Sequence, residues 1–176
     1  MQFDIEVVRT GRRMREVSTR ELLLHINSLV DEDAPIVVNR KVTFRSEEKW
    51  KHACAKEIDA GRLIFAIGWF KKRLAGLAEA RRGLGRESGV VKLGIGIGKE
   101  FRERGLGRML LMEIICAAKK EFEPGKIILE CFECNTPAIR LYKSTGFQKV
   151  ALLKSHAVLY GKPCGKLIME LKNRQG

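Results

Sequence analysis

The 176-residue chain reads as a mixed α/β domain, and three features predict it. Apolar runs of strand length, such as Leu63-Ile64-Phe65-Ala66-Ile67, alternate with segments whose apolar residues recur at helical spacing. The connections are of both hairpin and crossover length, so antiparallel and parallel units are both expected. No internal repeat or long linker interrupts the pattern, and the length suits one domain over residues 1–176 with a sizeable core.

Taken in order, residues 12–17 read as strand-like. Ser18-Thr19-Arg20-Glu21 forms a capping box, and Leu22, Leu23, Ile26, Leu29 and Val30 follow at helical spacing. Residues 31–45, broken by Pro35, form an irregular connection. Ser46 caps a second helix that ends near Gly61. Residues 63–67 are a buried strand, Lys71-Lys72 a turn, and 73–80 the second strand of a hairpin. The glycine-rich tract 82–89 is a surface loop leading to strand 90–98. A helix over 104–121 carries Leu106, Leu110, Leu111, Ile114, Ile115 and Ala118 as its inward stripe. Strand 126–132, a short helix 136–143, strand 147–154 and a last strand near 165–171 complete the chain.

Composition bounds the function. Hydrophobic residues make up 45% and charged residues 31%, the balance of a soluble globular protein. No stretch approaches the ~20 apolar residues of a membrane span, so no membrane partner is expected. The start, MQFDIEVVRTGRR, has acids where a signal peptide needs basic and then apolar residues, which predicts a cytoplasmic protein. Five scattered cysteines fit reduced thiols. Cys131 and Cys134 have zinc-like spacing but no second ligand pair, so no metal is expected. A net charge of +13 favours anionic partners. The basic residues are spread out with few aromatics among them, which disfavours direct nucleic-acid binding.

The segment Phe101-Arg102-Glu103-Arg104-Gly105-Leu106-Gly107-Arg108 opens a helix with two glycines and three arginines. The first N–H groups of a helix lack partners and face a positive dipole end, so this turn suits the phosphate of a ligand. A tight bend would use the same glycines. In the strand before it, Leu93, Ile95 and Ile97 share one face while Gly94, Gly96 and Gly98 leave the other bare. A bare face admits a ligand or a closely packed helix.

Strand, Arg102-x-x-Gly105-x-Gly107, helix, strand, then Asn135-x-x-Ala138-x-x-x-Tyr142-x-x-x-Gly146-Phe147 resembles the GNAT superfamily of acyl-CoA-dependent N-acyltransferases. The likeness is close over residues 88–151 and looser before them, and it points to the ribosomal-protein alanine and small-amine N-acetyltransferase branches. It implies a mostly antiparallel sheet of six to seven strands, flanked by about four helices and splayed between the fourth and fifth strands. It also implies acetyl-CoA as cosubstrate. Arg102, Glu103, Arg104, Gly105, Leu106, Gly107 and Arg108 would hold the pyrophosphate, and the pantetheine arm would pair along Ile95, Gly96 and Ile97. Asn135 would cap its helix and contact the cofactor.

The chemistry needs a neutral amine, an oxyanion donor and a proton for the leaving thiolate. By resemblance the backbone N–H near Ile97 is the oxyanion donor, and Tyr142 is the general acid or thiol anchor. No glutamate stands between Val90 and Gly98, where many relatives carry the base. Glu130 occupies the position used in the ribosomal-protein alanine branch, with Glu133, a water chain or no dedicated base as alternatives. Residues 19–30, 31–45 and 154–164 would wall the acceptor site, and His25, His52 and His156 look structural. A protein acceptor needs an open groove there, and a small amine a closed pocket. The expected function is acetyl transfer to a primary amine of a protein or small molecule. The alternative is a CoA-responsive binding protein with little turnover. A homodimer is left open.

Overall fold

A computed structural model describes residues 2–171; Met1 and residues 172–176 lie outside the described residues. The chain forms β1 (Asp4–Val8), α1 (Gly11–Glu16), α2 (Thr19–Asp31), α3 (Phe44–Asp59), β2 (Leu63–Phe70), β3 (Arg73–Arg82) and β4 (Val90–Ile97). It continues through α4 (Leu106–Phe122), β5 (Lys126–Phe132), α5 (Thr136–Ser144), β6 (Phe147–Leu159) and β7 (Lys162–Leu171). The seven strands form one sheet in the order β1-β2-β3-β4-β5-β7-β6. All neighbours are antiparallel except β4 and β5, which α4 joins as a parallel crossover pair. The mixed sheet agrees with the expected fold, with seven strands and five α-helices among the described residues.

The sheet is covered on both faces. Ile64, Ala66, Ala78, Ala80, Val91 and Leu93 pack against Leu106, Leu110, Leu111 and Ile114 of α4. Small residues on β2 and β3 bring that helix close: a Cβ on Gly68 would stand 2.8 Å from Leu106 Cδ1. On the opposite face Leu63, Phe65 and Ile67 meet Met14, Leu22, Cys54 and Ile58 from α1, α2 and α3. Every residue of 63–67 is therefore buried, which is why this run shows no polar alternation.

Three expectations are corrected. Residues 12–17 are not a strand: Gly11–Glu16 is helical, because the Thr10 hydroxyl accepts from Arg13 N–H and the Asp59 carboxylate accepts from Gly11 N–H. The strand lies earlier, at Asp4–Val8, where its pairing with β2 settles a segment of weak local pattern. The 154–164 connection is strand almost throughout. It turns at Tyr160 (φ 52°) and Gly161 (φ 72°), the two positive dihedrals that suit a tight hairpin. At α3 the capping box belongs to Thr43, with Ser46 as its reciprocal partner three residues on.

Candidate active site

The site begins where the sheet opens. β4 and β5 pair from Val90 opposite Lys126 to Leu93 opposite Leu129 and then part. β4 stays paired with β3 as far as Ile97, opposite Gly76. Over residues 94–97 the β5-side edge of β4 thus has no strand partner, which leaves backbone groups for an extended ligand.

That edge runs into the arginine-rich turn. Glu103 (φ 57°) and Gly105 (φ 83°) both adopt left-handed backbone, and nothing lies within 4 Å of a Cβ at Gly105. Alternating handedness turns successive N–H groups toward one concavity. Among the described residues no acceptor meets the N–H groups of Glu103, Arg104 or Gly105, and no side chain caps α4. Leu106, Gly107 and Arg108, in its first turn, lack intrahelical acceptors by position. This set of unpaired donors at a positive helix end fits a pyrophosphate. Leu106 itself is fully buried beneath the turn.

The three arginines differ. Arg102 is committed within the protein: its guanidinium forks onto Glu32, the cap residue of α2, and its Nε donates to the Ile97 carbonyl at 3.0 Å. It fixes the end of β4 more than it offers charge to a ligand. Arg104 Nε reaches the Glu100 carbonyl at 3.1 Å, and Arg108 lies 3.4 Å from Ser144 Oγ. Both are exposed beside the turn. Gly107 has a packing reason, since a Cβ there would stand 3.2 Å from Leu141 Cδ2. This contact holds α5 against the start of α4.

On α5, Asn135 caps the helix by accepting from Ala138 N–H at 3.2 Å. Tyr142 is 6% exposed and packs edge-on against Phe147. No hydrogen bond reaches its hydroxyl among the described residues. Burial, aided by the nearby Cys131, raises its pKa well above the usual phenol value, so it is held as the protonated donor. A buried tyrosine normally finds a partner, and this one is free for a ligand.

The acids separate by environment. Glu130 lies on β5 just past the split, with Lys92 at 2.5 Å and Lys166 at 3.3 Å. Burial alone would raise its pKa, but the two ammonium groups outweigh it and hold the carboxylate below its ordinary range. Glu133 accepts the Gly165 N–H at 2.5 Å, which ties β7 to the end of β5.

The bare face of β4 is covered by side chains from β3 and α2. Glu79 of β3 sits opposite Gly94, its Cγ 3.3 Å from the place a Cβ would take. Across Gly96 lie Leu29 Cδ1 at 3.1 Å and His25 Nε2 at 3.5 Å from the same construction. His25 is 8% exposed, and burial, with the Arg102 charge behind it, lowers its pKa to about 4. These residues face a cavity of about 400 Å³ between α2, α3, β3 and β4. The register of β3 on β4 places Glu79, and the packing of α2 on the sheet places His25 and Leu29. A second cavity, of about 470 Å³, lies between the 33–39 loop and the β6–β7 hairpin, and Ile36 and Val38 line both.

Residues 25–147 match the acetyltransferase (GNAT) family. The chain belongs to that family. An N-alpha-acetyltransferase of Sulfurisphaera tokodaii is 34% identical over 62 residues, 35% of this chain and 37% of that one. The N-alpha-acetyltransferase RimI of Mycobacterium tuberculosis is 37% identical over 62 residues, with the same shares. The match thus spans little more than a third of those relatives' length. The GNAT fold recurs over whole chains. A Streptococcus pneumoniae GNAT acetyltransferase superposes with TM-score 0.80 at 20% identity, over 96% of this chain and 98% of that one. A Salmonella typhimurium structure with its cofactor acetyl-CoA superposes with TM-score 0.79 at 19% identity, over 99% and 95%.

Proposed function

We propose that this protein transfers an acetyl group from acetyl-CoA to a primary amine by direct attack in a ternary complex. The observation that carries this reading is the run of unpaired backbone donors. It starts on the open edge at 94–97 and ends at the uncapped start of α4. An adenine-nucleotide pyrophosphate fits the turn formed by residues 103–108, and an extended amide-bearing arm fits the edge at Ile95, Gly96 and Ile97. The names of the relatives, the N-alpha-acetyltransferases above all, support an amine acceptor.

The residues then divide the work. The attacking nitrogen must be neutral, which at pH 7 costs roughly 4–5 kcal/mol for a lysine-type amine and about 1–1.5 for an α-amine. Its lone pair attacks the thioester carbonyl, the oxyanion takes a backbone N–H at the end of β4, and the carbon–sulfur bond breaks. The free Tyr142 hydroxyl protonates the departing thiolate. Glu79 sits opposite Gly94 on β3, and Glu130 lies on β5 one residue beyond its last pairing with β4. Glu130 is the family-like base. Its two lysines weaken it, and this favours Glu79 as the second candidate.

Mass spectrometry of pooled peptides and small amines incubated with acetyl-CoA tests the activity. Acetylated product is expected; acetyl-CoA binding without product would instead make this a CoA-responsive binding protein. Tyr142→Phe should fold normally and lose about 10²-fold in kcat. If Glu130→Gln keeps the acid limb of the rate profile while Glu79→Gln abolishes it, the base is Glu79. The reverse result assigns it to Glu130.

A further inference from the structure

The cavity over Gly94 and Gly96 has an unusual lining. Its walls are apolar, with Leu22, Ile26 and Trp50 among them, yet two carboxyl groups face it. Glu47 of α3 is 7% exposed, and no hydrogen bond or ion pair reaches its side chain among the described residues. Glu79 has only a loose partner, Arg81 at 3.7 Å. Both carboxyls are among the residues that line the cavity, Glu79 opposite Gly94 and Glu47 on the facing helix α3. His25 closes the other polar side, over Gly96, with no hydrogen bond to its ring. The Glu47 carboxyl lines the cavity with no protein partner among the described residues, and an ammonium group entering the cavity would pair with it.

We infer that this cavity holds the acceptor as a small primary amine with an apolar body, its ammonium bound by Glu47 and Glu79 beside Gly94. The inference rests on the acetyl-transfer reading above and names the substrate class for it. Charge complementarity selects the cation, and the apolar walls select against a second charged or carboxylate group. The volume suits a molecule of small-ligand size. The 33–39 loop borders the cavity and narrows the path a peptide would need. Ile36 and Val38 form a wall shared with the outer groove. The Tyr160 hydroxyl donates to the Asp33 carbonyl at 3.0 Å, tying that loop to the β6–β7 hairpin.

The test uses the full chain with acetyl-CoA and four acceptors: phenethylamine, phenylalanine, putrescine and a peptide with a free N-terminus. Acetylation of phenethylamine is expected with kcat/KM at least about 100-fold above phenylalanine, whose carboxylate would lie among carboxylates. Glu47→Gln should raise KM for phenethylamine about tenfold or more and change kcat by less than about threefold, the loss of one charged contact. Its Tm without amine should stay level or rise, because a carboxyl lacking a partner is removed; a merely structural Glu47 would lower it. If the peptide or putrescine is the efficient acceptor and phenethylamine is not, the inference falls while acetyl transfer stands. If no amine is acetylated, the transfer reading fails. The cavity assignment then survives only if phenethylamine raises the Tm of the wild type and not of Glu47→Gln.

Discussion

Burial of His25 between α2 and Gly96 gives the protein a pH-dependent stability that can be read at one residue. Its pKa falls from 6.5 in the open chain to about 4 in the fold, because desolvation, and then the Arg102 charge, disfavours the imidazolium. Between those values the unfolded chain binds the extra proton. The stabilisation is therefore complete above pH 6.5 and is lost as pH falls toward 4, by roughly 3 kcal/mol in all. Urea unfolding of His25→Leu at pH 7 and pH 5 should show a flatter dependence than wild type. An unchanged slope would mean that the imidazole is hydrated and free to charge. Lys51 illustrates the opposite solution for a buried charge. Its three-donor head group is satisfied by the Arg15 and Val17 carbonyls at the end of α1, at 3.1 and 3.2 Å.

At the scale of elements, the start of α4 does two jobs through two glycines. Gly105 supplies a left-handed dihedral in open space, so Gly105→Ala strains only the backbone. That substitution should lower stability by about 1–2 kcal/mol and weaken acetyl-CoA binding, measurable by thermal melts and calorimetric titration. Gly107→Ala instead meets Leu141 and displaces α5. Its larger effect should be on kcat, since α5 carries Tyr142. Equal effects of the two variants on binding and turnover would overturn this division. The resemblance motif spanned both elements because α4 and α5 meet at this contact. Spacing alone could give the glycine positions, though not their separate reasons.

Across the whole molecule, the net charge of +13 and the unpaired donors at one helix end both favour a polyanionic ligand. Acetyl-CoA at 100 times its Kd should add about 2.7 kcal/mol to folding stability and raise Tm accordingly. The association rate should fall as salt is raised, since the wider field is screened within about 10 Å at 0.1 M. An association rate that ignores ionic strength would show that the distributed charge serves another purpose. Among the described residues no helix is long and apolar enough to cross a membrane.

The sequence by itself pointed to the family, to the glycine-rich helix start proposed to take the pyrophosphate, and to the tyrosine on α5. Each rests on local signals: a dihedral that favours glycine, a helix start, a fixed spacing along one helix. Short-range preference failed at residues 12–17, where a threonine cap and a carboxylate from the distant Asp59 made a helix of a strand-like pattern. It also passed over Glu79 and Glu47, and it read His25 as structural only. Which face a strand residue occupies depends on its register, and a slip of one position sends every side chain to the other side. Only the pairing of β3 with β4, and the approach of α2 and α3 to it, brought these groups over one bare stretch of backbone. The elements proposed to hold the acyl donor are thus legible along the chain, whereas the cavity proposed for the acceptor exists only once the sheet and helices have packed.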